Sequence, residues 1–230
     1  MSLSGHLGEL RRRISVILAA VGIGFGGSFY FSEVILDALT RPVKTGLIFT
    51  GPTEALWSHF KVALLSGLLF SLPVILHQIY RFIAPGLYPR ERRNVIPFIF
   101  FGTVSFLLGL SFCYFIVLPF GIGFLLTYKT GSLIPMISVG SYVDFVIKFL
   151  LAFGVIFELP VAIIFLSRLG LLTPAFLSRN RKYAVLIIFI VAAVLTPTPD
   201  VFNQLLMAIP LILLYEIGIL GAKWFGKKEV

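Results

Sequence analysis

Residues 95–118 read VIPFIFFGTVSFLLGLSFCYFIVL, an apolar run without a single charge. A hydrocarbon core ~30 Å thick takes roughly 20 such residues as a helix, because no water inside it can satisfy a free backbone amide. The run therefore reads as a membrane-spanning helix, and its neighbours follow the same rule. Ile14 to Phe31 and Val62 to Tyr80 likewise carry no Asp, Glu, Lys or Arg, and Phe149 to Leu166 holds a single ionisable residue, Glu158. Two shorter runs, Tyr183 to Leu195 and Val201 to Tyr215, are separated only by Thr196, Pro197, Thr198, Pro199 and Asp200, a cluster that must turn tightly. At ~1.5 Å per residue the fifth run spans only about 20 Å, so this hairpin is expected to stop short of the far face. The expectation is an all-α integral membrane protein, one domain over 1–230, with six helices at about 14–31, 62–80, 95–118, 146–167, 183–195 and 201–219.

Composition agrees. The chain is 58% hydrophobic and 13% charged, against roughly 45 to 50% apolar and about 25% charged in soluble domains, which excludes a water-soluble globule. The net charge of +9 is explained by topology. Arg11, Arg12, Arg13, Arg81, Arg90, Arg92, Arg93, Arg168, Arg179, Arg181, Lys182, Lys223, Lys227 and Lys228 fall on one side, with Arg41, Lys44 and Lys129 on the other. Lys61 and Lys148 sit at outer span ends, where a long stem can snorkel. The positive-inside rule then puts both termini in the cytoplasm, and nucleic acid drops out as a partner. Arginines ahead of an apolar stretch also resemble a signal peptide, but Gly26, Gly27 and Ser28 lead into Phe29, Tyr30 and Phe31 without a small-residue cleavage pattern, so the first span is read as retained.

Helix ends carry their own signals. Ser141 with Asp144 reads as a capping box for the fourth span, and Thr173 before Pro174 as a cap from which a helix runs into the fifth. Pro89 starts the third, with Glu91 in its first turn. Ser32 to Thr40 and Pro119 to Thr127 are apolar but too short to span, and are expected to lie as caps in the outer interface. Gly22 and Gly26 form a GxxxG pair suited to close helix packing.

Chemistry then depends on misplaced polarity. Glu158 near the centre of a span costs roughly 2.5 to 3.5 kcal/mol to insert charged, so it marks either a functional contact or a protonated carboxyl bonded within the bundle. Asp200, Asn203 and Gln204 at the hairpin tip either line a wet depression, meet a polar group of a partner, or are a helix cap by Asp200 with solvated amides. Gln78 and Glu216 are explained by interface depth. Glu9 precedes Arg13 by four residues on a short amphipathic helix with Leu3, Leu7, Leu10 and Ile14 on one side, which on spacing alone favours an internal ion pair. Enzymatic function is not expected. His59 and His77 are ~27 Å apart along one helix, no HExxH or Gly-x-Ser-x-Gly occurs, and the lone Cys113 lies in an apolar run. Neither metal nor cofactor is anticipated.

Four strings acquire meaning together: His6-Leu7-Gly8-Glu9-Leu10-Arg11; Phe82-Ile83-Ala84-Pro85-Gly86-Leu87-Tyr88 running to Glu91-Arg92-Arg93; Phe157-Glu158-Leu159-Pro160-Val161; and Leu195-Thr196-Pro197 through Asp200 to Gln204, with Ala208-Ile209-Pro210. From residue 6 to about 221 the chain resembles TatC, the multispanning receptor subunit of the twin-arginine protein translocase. Two local departures are His77-Gln78-Ile79-Tyr80, where many relatives have Tyr-Gln-x-Trp, and a turn one residue longer before Asp200.

The resemblance implies a prokaryotic cytoplasmic-membrane protein that recognises twin-arginine signal peptides of folded cargo and recruits the single-span partners TatA and TatB. It overturns the pairing reading of Glu9: Glu9 and Glu91 would receive the two arginines, with Arg11, Phe82, Pro85 and Leu87 shaping the surrounding surface. Glu158, Thr196 and Gln204 would contact the partner helices, beside lipid and further copies of the chain. The competing expectation is a proton-coupled solute transporter using Glu158.

Overall fold

A computed structural model describes residues 3–43, 46–83, 95–127, 136–195 and 200–226. Its elements are α1 (Leu3–Tyr30), α2 (Ser32–Thr40), α3 (Glu54–Ile83), α4 (Val95–Phe112), a π-helical turn (Cys113–Val117), α5 (Leu118–Thr127), α6 (Val139–Arg168), α7 (Pro174–Arg179), α8 (Arg181–Leu195) and α9 (Val201–Phe225). The extended contact among the described residues is one isolated parallel bridge between Ile48 and Ser138. Among the described residues five stretches are long and apolar enough to cross a membrane: Leu7–Tyr30, Glu54–Phe82, Ile96–Phe124, Val139–Arg168 and Val201–Phe225. α8, with 15 residues, is the short member of the final hairpin. Its partner α9 has 25 and continues to Phe225, beyond the expected end at residue 219.

The chain forms two compact units, one of residues 1–103 and 126–147, the other of 104–125 and 148–230. In the first, α1 lies along α3. The contact is glycine on glycine: a Cβ on Gly24 would stand 2.7 Å from the Gly67 carbonyl oxygen, and one on Gly67 would stand 2.4 Å from the Phe25 amide. Gly22 and Gly26, the expected packing pair, face open space instead. The amphipathic segment around Glu9 is no separate helix but the first turns of α1, with Leu7, Leu10 and Ile14 exposed. Exposed apolar side chains there are what a lipid-facing helix presents.

At the other end of the first unit Glu54 ties the elements together. Its Oε2 accepts from the Thr50 amide at 2.6 Å and the Thr50 hydroxyl at 2.7 Å, and its Oε1 from the Gly140 amide at 2.6 Å. The Tyr142 hydroxyl donates to the Leu39 carbonyl at 2.8 Å, and Lys61 Nζ meets Asp144 Oδ1 at 2.6 Å. Asp144 therefore serves an ion pair and not a capping box. The cap is Ser138, whose Oγ accepts from the Ser141 amide at 3.3 Å, because the Ile48–Ser138 bridge pins the backbone one turn earlier than expected.

In the second unit α4 and α6 interlock through glycines. A Cβ on Gly109 would lie 2.5 Å from the Phe153 carbonyl oxygen, and one on Gly154 would lie 2.5 Å from the Phe106 ring. Phe112 packs against Phe153 and Phe157 at 5.8 and 5.6 Å between ring centroids. Residues 119–127 are not a separate cap: α5 continues the third span. The π turn sends the Leu118 amide back to Cys113, widening the helix just before Pro119, a residue with no amide to donate.

α6 closes on Gly170, at φ 71°, with Leu171 N–H bonded to Leu166 O and Gly170 N–H to Ser167 O. This closure needs the left-handed conformation that glycine adopts at no steric cost. Thr173 then caps α7 by accepting from the Phe176 amide at 3.1 Å, as expected. α7 does not run on into the fifth span, however. Asn180, at φ −98° and ψ 15°, interrupts it, its side-chain amide donating to Phe176 O. Asn and similar side chains offer the backbone such an alternative to continued helix.

Candidate functional site

Glu9 lies in the second turn of α1, and Gln78 in the last two turns of α3. The close Gly24–Gly67 approach sets the register that brings these two ends together. Arg13 bridges them: Nη2 donates to Glu9 Oε1, and Nη1 to Gln78 Oε1 at 3.2 Å. The ion pair expected from spacing is thus formed, with the Arg13 and Glu9 side chains 15% and 22% exposed. Shielding of this degree makes the pair stronger than one on an open surface.

Around this bridge opens a cleft of about 620 Å³ lined by Gly8, Glu9, Arg12, Arg13, Val16, Gln78 and Arg81. Glu9 is the one acid among those described residues. Arg11 is exposed and is not among the residues that line the cleft; its carbonyl accepts from Ser15 Oγ at 3.0 Å. Phe82, half-buried, follows Arg81 directly. Glu91, Pro85 and Leu87 lie outside the described residues. What sequence reading missed is the pairing of Gln78 with Arg13, 65 positions apart, and the contribution of Arg12 and Arg81 to the same cleft. The available signal is an amide near the inner end of a span, a position that interface depth alone also explains.

The expected partner contacts belong to the second unit. Glu158 is half-buried on α6, and its Oε1 is buried without a hydrogen-bond partner among the described residues. At the residue just before it, the Phe157 carbonyl accepts from the Ser105 hydroxyl at 2.5 Å. Asp200 caps α9, accepting from the Asn203 amide at 2.7 Å and the Asn203 side chain at 2.9 Å, so the expected cap forms, but the Asn203 amide is buried against it and not solvated. Gln204 Nε2 reaches the Phe189 carbonyl at 3.1 Å and fastens α9 to α8. Thr196 lies outside the described residues. No group of His, Cys, Asp or Glu among the described residues could hold a metal ion.

The family model for the Sec-independent protein translocase protein (TatC) matches residues 5–210. The chain belongs to the TatC family. Among its TatC relatives, the Sec-independent protein translocase protein TatC of Desulforapulum autotrophicum is 45% identical over 230 residues, covering 97% of this chain and 85% of that protein. The protein of the same name from Aquifex aeolicus is 41% identical over 236 residues, covering 100% of this chain and 98% of that one. A crystal structure of the twin arginine translocase receptor TatC in DDM superposes with a TM-score of 0.84 at 41% identity, covering 97% of this chain and all of that one. The chain is accordingly a multi-pass membrane component of a Sec-independent, TatC-type protein translocase. These relatives are protein-translocase components, so the solute-transporter alternative gains no support.

Proposed function

We propose that this chain recognises twin-arginine signal peptides of folded proteins at the cytoplasmic face of the cytoplasmic membrane, and recruits TatA- and TatB-type single-span subunits for export. The observation that carries the reading is the cleft between α1 and α3, in which Glu9 is the one acid among the described lining residues. A carboxylate there can take a guanidinium fork through two parallel hydrogen bonds, whereas lysine brings a compact charge without a fork. Glu91 supplies the second carboxylate, and Arg11, Phe82, Pro85 and Leu87 the surrounding surface. The topology in this reading has six spans, α8 being the short one, with both termini cytoplasmic.

Energetics assign the remaining task. Hydrogen bonds to charged groups contribute about 1.5 to 3 kcal/mol each, while micromolar affinity needs about 8 kcal/mol. The apolar part of the signal peptide must therefore bind too, and Val16 offers it an apolar contact in the lining of the cleft. Because Arg12, Arg13 and Arg81 line the same cleft, long-range attraction of a basic leader is weak. Selection comes from close contact.

Partner recruitment rests on Glu158, Thr196 and Gln204. A buried acceptor left without a donor costs about 1 to 3 kcal/mol, and a polar side chain from a partner helix would relieve that cost at Glu158. The test is photo-crosslinking. A photoreactive residue at Val16 should capture a twin-arginine precursor in membrane vesicles and lose it when the pair becomes Lys-Lys. Capture at Val201, far along the chain on α9, with none at Val16, would refute the assignment.

A further inference from the structure

Resting on the proposed recognition of arginine by Glu9, a second feature of the cleft concerns how that carboxylate is reached. Glu9 is already engaged. Arg13 holds its Oε1 and is itself anchored on Gln78 at 3.2 Å, so one guanidinium bridges two helices. The bridge is not an optimal fork. It places one nitrogen on the carboxylate and one on an amide, and leaves Arg13 Nε buried without an acceptor among the described residues. A guanidinium that makes both of its parallel bonds to one carboxylate is the stronger arrangement.

We propose that Arg13 is an internal occupant of Glu9 that an incoming arginine must displace, so that the receptor holds its own recognition site partly closed until a ligand arrives. Two requirements follow from geometry. A bidentate grip on Glu9 needs both carboxylate oxygens, and Arg13 holds one of them. Displacement also releases Arg13 from a shielded position only if its hold on Gln78 yields, since both anchors use the same rigid plane. The apparent affinity for any ligand needing both oxygens is then reduced by the fraction of molecules in which Arg13 is seated. The occupancy slows arrival and leaves departure alone, because Arg13 is no longer on Glu9 once the ligand is bound.

The test measures association and dissociation of a synthetic twin-arginine signal peptide on the full chain in detergent. For Arg13→Gln the expected result is a Kd lower by about two- to fivefold, the range set by typical ion-pair strengths, with the change in the association rate and an unaltered dissociation rate. Gln78→Leu removes the second anchor and should move affinity in the same direction by less. Arg12→Gln deletes a charge from the same cleft without touching Glu9, and controls for simple repulsion: its gain should be smaller and should fade at high salt, while that of Arg13→Gln persists. A weaker or unchanged Arg13→Gln complex would overturn the proposal and make Arg13 a support that positions Glu9. The two readings fail separately. Loss of the Arg-Arg preference in the unaltered protein, or indifference to Glu9→Ala, would remove the recognition site itself and this inference with it. Intact preference with no gain in Arg13→Gln would remove this inference alone.

Discussion

Gly24 and Gly67 meet backbone to backbone, at a separation where a Cβ on Gly24 would lie 2.7 Å from the Gly67 carbonyl oxygen. Neither atom at that contact can move aside by changing a rotamer. Gly67→Ala should therefore push α1 off α3 and lower stability by about 1 to 3 kcal/mol, the usual range for overpacking. Gly22→Ala and Gly26→Ala point into open space and should leave stability nearly unchanged. Thermal unfolding in detergent compares the three. Because α1 and α3 carry Glu9 and Gln78, Gly67→Ala should also weaken signal-peptide binding.

Glu54 makes a different kind of joint. Its two oxygens serve different elements, Oε2 the Thr50 turn and Oε1 the start of α6. Glu54→Gln keeps one acceptor oxygen and converts the other to a donor facing amides, so it should open one side of the joint. Glu54→Ala should open both. Hydrogen exchange at the Thr50 and Gly140 amides reads this directly, faster at one in the glutamine variant and at both in the alanine variant.

Much of this architecture was legible in the sequence, and the exceptions share a cause. Five of the expected spans, the Glu9–Arg13 spacing, the Thr173 cap and the Asp200 cap are local, and local physics decided them. Gly22 and Gly26 failed as packing partners because a small-residue pair permits close approach on its face without saying which face finds a neighbour. Ser141 lost the cap to Ser138 because a bridge to Ile48, 90 positions earlier in the chain, set the backbone. Pro119 to Thr127 read as a cap outside the third span, yet a π turn carries the helix through Pro119. At the candidate site the carboxylate was legible and its surroundings were not. Gln78 joins Arg13 only through the α1 and α3 register, which the glycine contact sets.

Partner recruitment can be separated from peptide binding. Glu158→Ala should leave the Arg-Arg peptide affinity within about twofold, since Glu158 is not among the residues that line the cleft and sites that share no partner combine additively. It should reduce co-purification of the single-span partner. Gln204→Ala removes a bond to the Phe189 carbonyl, worth about 0.5 to 1.5 kcal/mol, and should loosen the α8–α9 hairpin as well as the partner. Pull-down from detergent extracts alongside thermal unfolding tells the two effects apart.

Topology has a direct readout. Trp224 is 78% exposed near the end of α9 and Trp57 is 61% exposed near the start of α3. With Cys113 buried and silent, Trp224→Cys should label with a membrane-impermeant maleimide only in inside-out vesicles, and Trp57→Cys only in right-side-out ones. Labelling of both from one side would contradict the positive-inside assignment.

The most direct test of the recognition site is equilibrium binding of the purified, detergent-solubilised chain to a synthetic signal peptide bearing Arg-Arg and to the same peptide bearing Lys-Lys. The expected result is tighter binding of Arg-Arg by about tenfold, the equivalent of one lost charge-assisted hydrogen bond, with the preference abolished in Glu9→Ala and in Glu91→Ala. Equal affinity for the two peptides, or a preference that survives both substitutions, would contradict the claim that these carboxylates read the arginine pair.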